Sequence, residues 1–158
     1  MKYILIRGSK DSGKSTTFDA VCKQLNPNKI LVLRRNNGTE NAFFEEVNTS
    51  IIVYNETYII EVGHKLILIM AGSPTEQYIT ITIVIEICIR LKIKIDFVLI
   101  AMRSFEKIVG FNTTKELEIL GEAVLIENIY RIDDSEFKKT KIWKLRIEQI
   151  VTLIKENI

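Results

Sequence analysis

The 158-residue chain is poor in several residue types, and each shortage excludes something. It has two prolines, Pro27 and Pro74, and seven glycines, too few for a flexible linker or a proline-stiffened tail. Its two cysteines, Cys22 and Cys88, cannot build a disulfide scaffold. Both sit among apolar residues, the pattern of reduced packing groups in a cytoplasmic protein. The single histidine, His64, has no serine, cysteine or metal-ligating partner near it in sequence, so it reads as a turn residue. No charge of one sign dominates: 22 basic residues stand against 20 acidic ones, a formal net charge of +2. Neither nucleic acid nor an anionic membrane is expected as a partner. The most apolar stretch, Tyr78 to Ile95, carries Glu86, Arg90, Lys92 and Lys94, and burying each in a bilayer would cost about 2.5–3.5 kcal/mol. No membrane span is expected. Met1 to Arg7 is too short for a secretory apolar region, so the Asn-x-Ser/Thr sites at Asn37, Asn48, Asn55 and Asn112 read as incidental.

What the chain has in plenty is isoleucine, 28 of its 158 residues, mostly in β-branched runs that favour strands. Lys2–Arg7 reads as a buried strand, and Lys14–Leu25 as a helix with Phe18, Val21, Cys22 and Leu25 on one face, stopped by Asn26-Pro27-Asn28. Ile30–Leu33 is a second short strand and Ala42–Val47 is expected to be a helical turn. Strands are expected at Ile51–Tyr54, Tyr58–Val62 and Leu66–Met70. Gly63-His64 between the last two fits a type II′ hairpin turn. Between Tyr78 and Ile95 isoleucines alternate like a strand, yet Ser73-Pro74-Thr75-Glu76 is a capping box. Parallel strands at Leu66–Met70 and Phe97–Ala101 need a crossover between them. A helix over Pro74–Leu91 is therefore predicted, with tertiary packing overriding propensity. A second capping box at Thr113–Glu116 opens a helix ending near Gly121. Val124–Tyr130 is the last strand, and a final helix begins near Ser135 with Trp143, Ile147, Ile150, Val151, Ile154 and Ile158 as its apolar stripe. Alternating strands and helices imply one α/β domain over residues 1–158, with a mostly parallel central sheet and one β-hairpin.

One motif carries chemistry. Gly8-Ser9-Lys10-Asp11-Ser12-Gly13-Lys14-Ser15 matches G-x-x-x-x-G-K-[ST], directly between a hydrophobic strand and an amphipathic helix. With ordinary residue usage the pattern arises in roughly 0.5% of chains this long. The chain resembles the P-loop NTPase superfamily over this loop and its flanking strand and helix, and the resemblance implies a three-layer sandwich. Glycines at both ends let the backbone turn so that its N–H groups form an anion nest, backed by the positive end of the following helix. By the resemblance, Gly8 to Thr16 hold the phosphates of a nucleoside triphosphate. Lys14 reaches the β- and γ-phosphates, Ser15 ligates Mg²⁺, and Thr16 meets the α-phosphate. Lys10 is an extra cation in the loop.

The acid that the superfamily places at a strand end to hold Mg²⁺ through water is missing. Leu66–Met70 runs into Ile69-Met70-Ala71-Gly72-Ser73-Pro74, which looks like a degenerate Asp-x-x-Gly switch of GTPases with Ile69 where the aspartate would stand. Phe97–Ala101 ends at Met102-Arg103, and Asp96 lies at its wrong end. Asp11, Glu76, Glu45 and Glu46 are the possible substitutes, each also readable as a surface carboxylate. Ser73 is favoured as a helix cap over a metal contact. No Asn-Lys-x-Asp follows, so ATP is favoured over GTP. Arg103, beyond the carboxyl end of Phe97–Ala101, is a candidate clamp for a transferred phosphoryl group, and Arg34 and Arg35 are candidates for holding an acceptor. Lys138, Lys139, Lys141, Lys144 and Arg146 read as the solvated face of the last helix. The expected activity is Mg²⁺-dependent ATP hydrolysis or phosphoryl transfer to a small acceptor. A nucleotide-binding switch that hydrolyses slowly and signals to a protein partner is the alternative.

Overall fold

The computed structural model describes residues 1–51 and 55–158. The strand expected at Ile51–Tyr54 falls, past Ile51, outside the described residues. Seven strands, β1 (Lys2–Gly8), β2 (Lys29–Arg34), β3 (Phe43–Val47), β4 (Thr57–Val62), β5 (Lys65–Met70), β6 (Phe97–Arg103) and β7 (Glu122–Asn128), form one sheet in the order β3-β2-β4-β5-β6-β1-β7. Helices α1 (Lys14–Leu25), α2 (Pro74–Gln77), α3 (Ile81–Arg90), α4 (Thr113–Leu120) and α5 (Lys141–Asn157) connect and cover it. The class is α/β.

The sheet is mixed, not mostly parallel. β1–β6, β1–β7 and β5–β6 pair parallel, whereas β2–β3, β2–β4 and β4–β5 pair antiparallel. The antiparallel pairs lie in the middle of the chain: β2 and β3 are joined by a connection without a helix and β4 and β5 by a two-residue turn, so each of these pairs reverses, and β4 adds to the other edge of β2. The β4–β5 hairpin closes as expected. Gly63 takes φ +62° while His64 stays outside the left-handed region, and Val62 pairs with Lys65. A second antiparallel pair, β2–β3, replaces the helical turn predicted at Ala42–Val47. Phe43-Phe44-Glu45-Glu46-Val47 zips onto β2 from Arg34↔Phe43 to Ile30↔Val47, and Glu45 takes Arg34 Nε at 3.0 Å across the pair.

Side chains of the central strands alternate between two apolar clusters. Ile4, Ile6, Leu99 and Ala101 face α1 and α5, while Tyr3, Leu5, Val98 and Ile100 face α3 and α4. Both faces are covered, so β1 and β6 read as unbroken apolar runs. The helix predicted over Pro74–Leu91 is two helices. Tyr78 ends α2 in the left-handed region at φ +52°, Ile79 is buried, and Thr80 caps α3 by accepting from Ile83 N–H at 3.3 Å. The strand-like alternation of isoleucines is thus overridden in α3, whose Ile81, Val84, Ile87 and Cys88 are buried at helical spacing. Two further starts differ from expectation. Asn112, not Thr113, caps α4 by accepting from Lys115 N–H at 3.2 Å, because Glu106 already holds Thr113 through its N–H and hydroxyl. α5 starts after Thr140 rather than near Ser135, following a 3₁₀ turn at Phe137–Lys139. Its stripe from Trp143 to Ile154 is buried as predicted. Among the described residues no helix is long and apolar enough to cross a membrane.

Candidate functional site

The site lies where neighbouring connections part. β1 leads into α1 on one face of the sheet, and the adjacent parallel β6 leads into α4 on the other. Their carboxyl ends therefore open a crevice at a topological switch point, the place where open α/β sheets take ligands. The Gly8–Gly13 loop comes from β1 and Arg103 is the last residue of β6, paired with Gly8. β5 runs in the same direction, so Ala71–Glu76 reaches the same edge.

The loop is built from its glycines. A Cβ on Gly8 would collide with Ser12 Oγ and stand 3.2 Å from the carbonyl oxygen of Ile129. Gly13 lies at φ +93°, and Asp11 also takes a positive φ, +61°. Ser12 N–H closes the turn on Ser9 O at 3.2 Å, and Thr17 N–H begins α1 on Gly13 O at 2.9 Å. Ser12 is buried and its hydroxyl has no partner among the described residues.

Lys14 is buried, and its Nζ donates to Gly8 O and Ser9 O, each at 2.8 Å. Burial pushes its pKa below the usual lysine range, opposed by the negative charges of Glu76 and Asp11 and reinforced by Arg103. A cavity of about 340 Å³ opens here, lined by the loop from Lys10 through Thr16 together with Asn55, Glu76 and Arg103. Ser15 Oγ donates to Asn55 Oδ1 and lies 3.4 Å from Ala71 O. Gly72 makes this approach possible, because a Cβ there would run into the backbone of Asn55. Arg103 forms an ion pair with Glu76 Oε1, while Glu76 Oε2 accepts from Ser73 N–H at 3.0 Å at the head of α2.

A second cavity, of about 640 Å³, shares Asp11, Ser12, Gly13 and Thr16 as its wall with the first. Its far side carries Arg131, Asp133, Asp134, Phe137, Trp143 and Arg146. Arg146 lies over the Trp143 ring at 5.9 Å from the centroid and donates to Tyr130 O at 3.1 Å. Its Nη1 comes within 3.6 Å of where a Cβ on Gly13 would stand.

Of the predicted residues, the structure gathers Lys10 to Thr16 and Arg103 on one cavity, with Gly8 and Ser9 supplying the carbonyls that hold Lys14. Among the proposed acid substitutes, Asp11 and Glu76 reach that cavity, while Glu45 and Glu46 lie on the edge strand β3. Arg34 is spent on Glu45 and Glu56, and Arg35 on Gln77 O at 2.7 Å, so neither lines it. Two residues escaped the sequence reading. Asn55 entered it only as an incidental Asn-x-Thr site. Arg146, grouped with the solvated lysines of α5, sits three residues after Trp143 on the same helix face, and that spacing was its readable cue. Comparison of the chain with family models, curated proteins and solved structures finds no match.

Proposed function

We propose that the chain is a nucleoside triphosphate-binding protein of the P-loop type, with ATP as its nucleotide, and that it hydrolyses ATP or passes its terminal phosphoryl group to a small acceptor. The observation that carries this reading is Lys14. A buried ammonium held by two loop carbonyls lines a cavity on the β1/β6 switch point, together with the cations Lys10 and Arg103, a setting that suits a polyanion. The Gly8–Gly13 loop and the start of α1 supply N–H donors around the same point. The two adjoining cavities divide as a nucleotide does. The smaller offers Lys10, Lys14 and Arg103 to a polyphosphate, and the larger offers Phe137, Trp143 and the Arg146 plane to a nucleoside.

The residues present fit Mg²⁺, a hard ion that takes oxygen ligands. Ser15 Oγ, Asn55 Oδ1 and Ala71 O converge beside Lys14, and Ser15 with Asn55 would hold it. Bound there, it would neutralise charge on the terminal phosphates. The chain's own residues do the rest: the loop and Lys14 fix the polyphosphate, and Arg103 stands where charge develops on the transferred group. A slow switch that signals to a protein partner is the second reading, favoured by the Asn55–Gly72 contact, which ties the segment before β4 to the end of β5 beside Ser15. Two free, buried cysteines in different clusters, Cys22 and Cys88, suit a reducing cytoplasm.

Trp143 is the chain's single tryptophan and lines the larger cavity, so its fluorescence reports occupancy. Titration with ATP and Mg²⁺ is expected to change that emission saturably at micromolar to millimolar concentration, more tightly than GTP. Absence of any response or heat of binding with ATP, GTP and pyrophosphate up to several millimolar would overturn the reading. Phosphate release above about 1 s⁻¹ that depends on an added acceptor marks a kinase, and tight binding with near-zero turnover marks the switch.

A further inference from the structure

Glu76 faces the Gly8–Gly13 loop from across the 340 Å³ cavity, and so does its ion-pair partner Arg103. The ends of β5 and β6, where a carboxylate would serve a terminal phosphate, carry Met70-Ala71-Gly72 and Met102-Arg103 instead. Glu76 reaches this place from α2, six residues beyond the β5 end, and its position is fixed through Oε2 by the backbone N–H of Ser73. Its other oxygen is occupied by Arg103. Glu76 and Arg103 are each close enough for their charge to act on Lys14. A cation committed to a carboxylate, within a cavity built for a polyanion, has two competing partners, and a triphosphate brings the stronger charge.

We propose that Glu76 and Arg103 form a latch read by the terminal phosphate: a bound triphosphate draws Arg103 away from Glu76, and the freed carboxylate becomes the base for hydrolysis. The proposal rests on the nucleotide-binding reading above and adds to it the acid that the strands lack. In the step, a water oxygen bonds to the terminal phosphorus. The bond from that phosphorus to the bridging oxygen breaks, and its electron pair leaves on the diphosphate. The water's proton passes to the Glu76 carboxylate and then to the released phosphate, which restores the carboxylate for its return to Arg103. A diphosphate lacks the group that competes for Arg103, so the latch stays closed over it.

The test compares Glu76→Gln, Arg103→Ala and the double variant with the wild type, by Trp143 fluorescence titration with ATP and ADP in the presence of Mg²⁺ and by phosphate release. Glutamine keeps an oxygen for the Ser73 N–H, so the head of α2 survives the change, and circular dichroism checks it. Glu76→Gln is expected to tighten ATP by about tenfold, because Arg103 is released and an anion beside the phosphates is gone, while ADP affinity moves by less than about threefold. Its turnover is expected to fall by about 100-fold or more. In the Arg103→Ala background the tightening of ATP should largely vanish. Glu76→Gln with unaltered ATP affinity or unaltered turnover overturns the proposal. So does a tightening that persists in full without Arg103, or a wild type that binds ATP without turnover. If wild-type protein binds no nucleotide at all, the nucleotide reading falls with it. Binding that is lost in Lys14→Met but indifferent to Glu76→Gln sinks the latch alone.

Discussion

Replacing Lys14 by methionine keeps an unbranched apolar stem in its buried channel and removes only the ammonium. An ammonium has three N–H donors. Two are spent on Gly8 O and Ser9 O, both at 2.8 Å, which leaves one for a ligand without any rearrangement. One charge-assisted hydrogen bond is worth about 1.5–3 kcal/mol, so ATP affinity should fall by roughly 10- to 160-fold, and by more if the phosphates displace the carbonyls. The protein itself should lose a comparable amount. The Gly8 carbonyl is left unpaired in a buried position, at a cost of about 1–3 kcal/mol, whereas Ser9 is exposed and its carbonyl can turn to water. Trp143 fluorescence titration with ATP and Mg²⁺ measures the affinity, and a thermal melt confirms that the variant is folded at the temperature of the titration. A folded Lys14→Met that binds ATP within about twofold of wild type would refute the assignment of this ammonium to a polyphosphate.

Gly13→Ala tests the loop's backbone separately. The added methyl meets only Arg146 Nη1, at 3.6 Å, so its cost is the left-handed φ of +93°, about 1–2 kcal/mol, and Tm should drop by roughly 2–8 °C in differential scanning calorimetry. An unchanged Tm would mean that the loop does not hold this conformation in solution. The two cysteines should be inert in the folded protein. Burial pushes each thiol up to about 12, which leaves about 10⁻⁴ as thiolate at pH 8. Iodoacetamide at pH 8, followed by mass spectrometry, should label neither Cys22 nor Cys88 within an hour in the folded protein and both in denaturant. Prompt labelling of the folded chain would contradict the packing of α1 and α3.

Local chemistry is legible in a linear sequence when every partner is close along the chain. The strand–loop–helix from Lys2 to Leu25 is such a unit. The apolar run, the two glycines and the helical spacing of Phe18, Val21, Cys22 and Leu25 specify it within some two dozen residues, and it stands in the structure as read. The Gly63-His64 turn is equally self-contained, since a positive φ next to a β-branched run leaves few alternatives. The stripe of α5 follows from its period alone.

Only the tertiary structure decided the rest, because the deciding partners lie far apart in sequence. Phe43–Val47 became a strand because β2 offered it an edge, and the run of isoleucines after Thr80 became a helix because the sheet's face needed covering. The pairing of β4 with β2 depends on how the two strands lie side by side rather than on the residues of β4 alone. The same holds at the site. Glu76 and Arg103 are 27 positions apart in the chain, and Ser15 and Asn55 are 40 apart. Nothing in either segment by itself announces the other. Hydrogen bonds and ion pairs depend on separation in space, and chain order constrains that separation only within a turn or two, so the loop was written in the sequence while the company it keeps was set by the order of the strands.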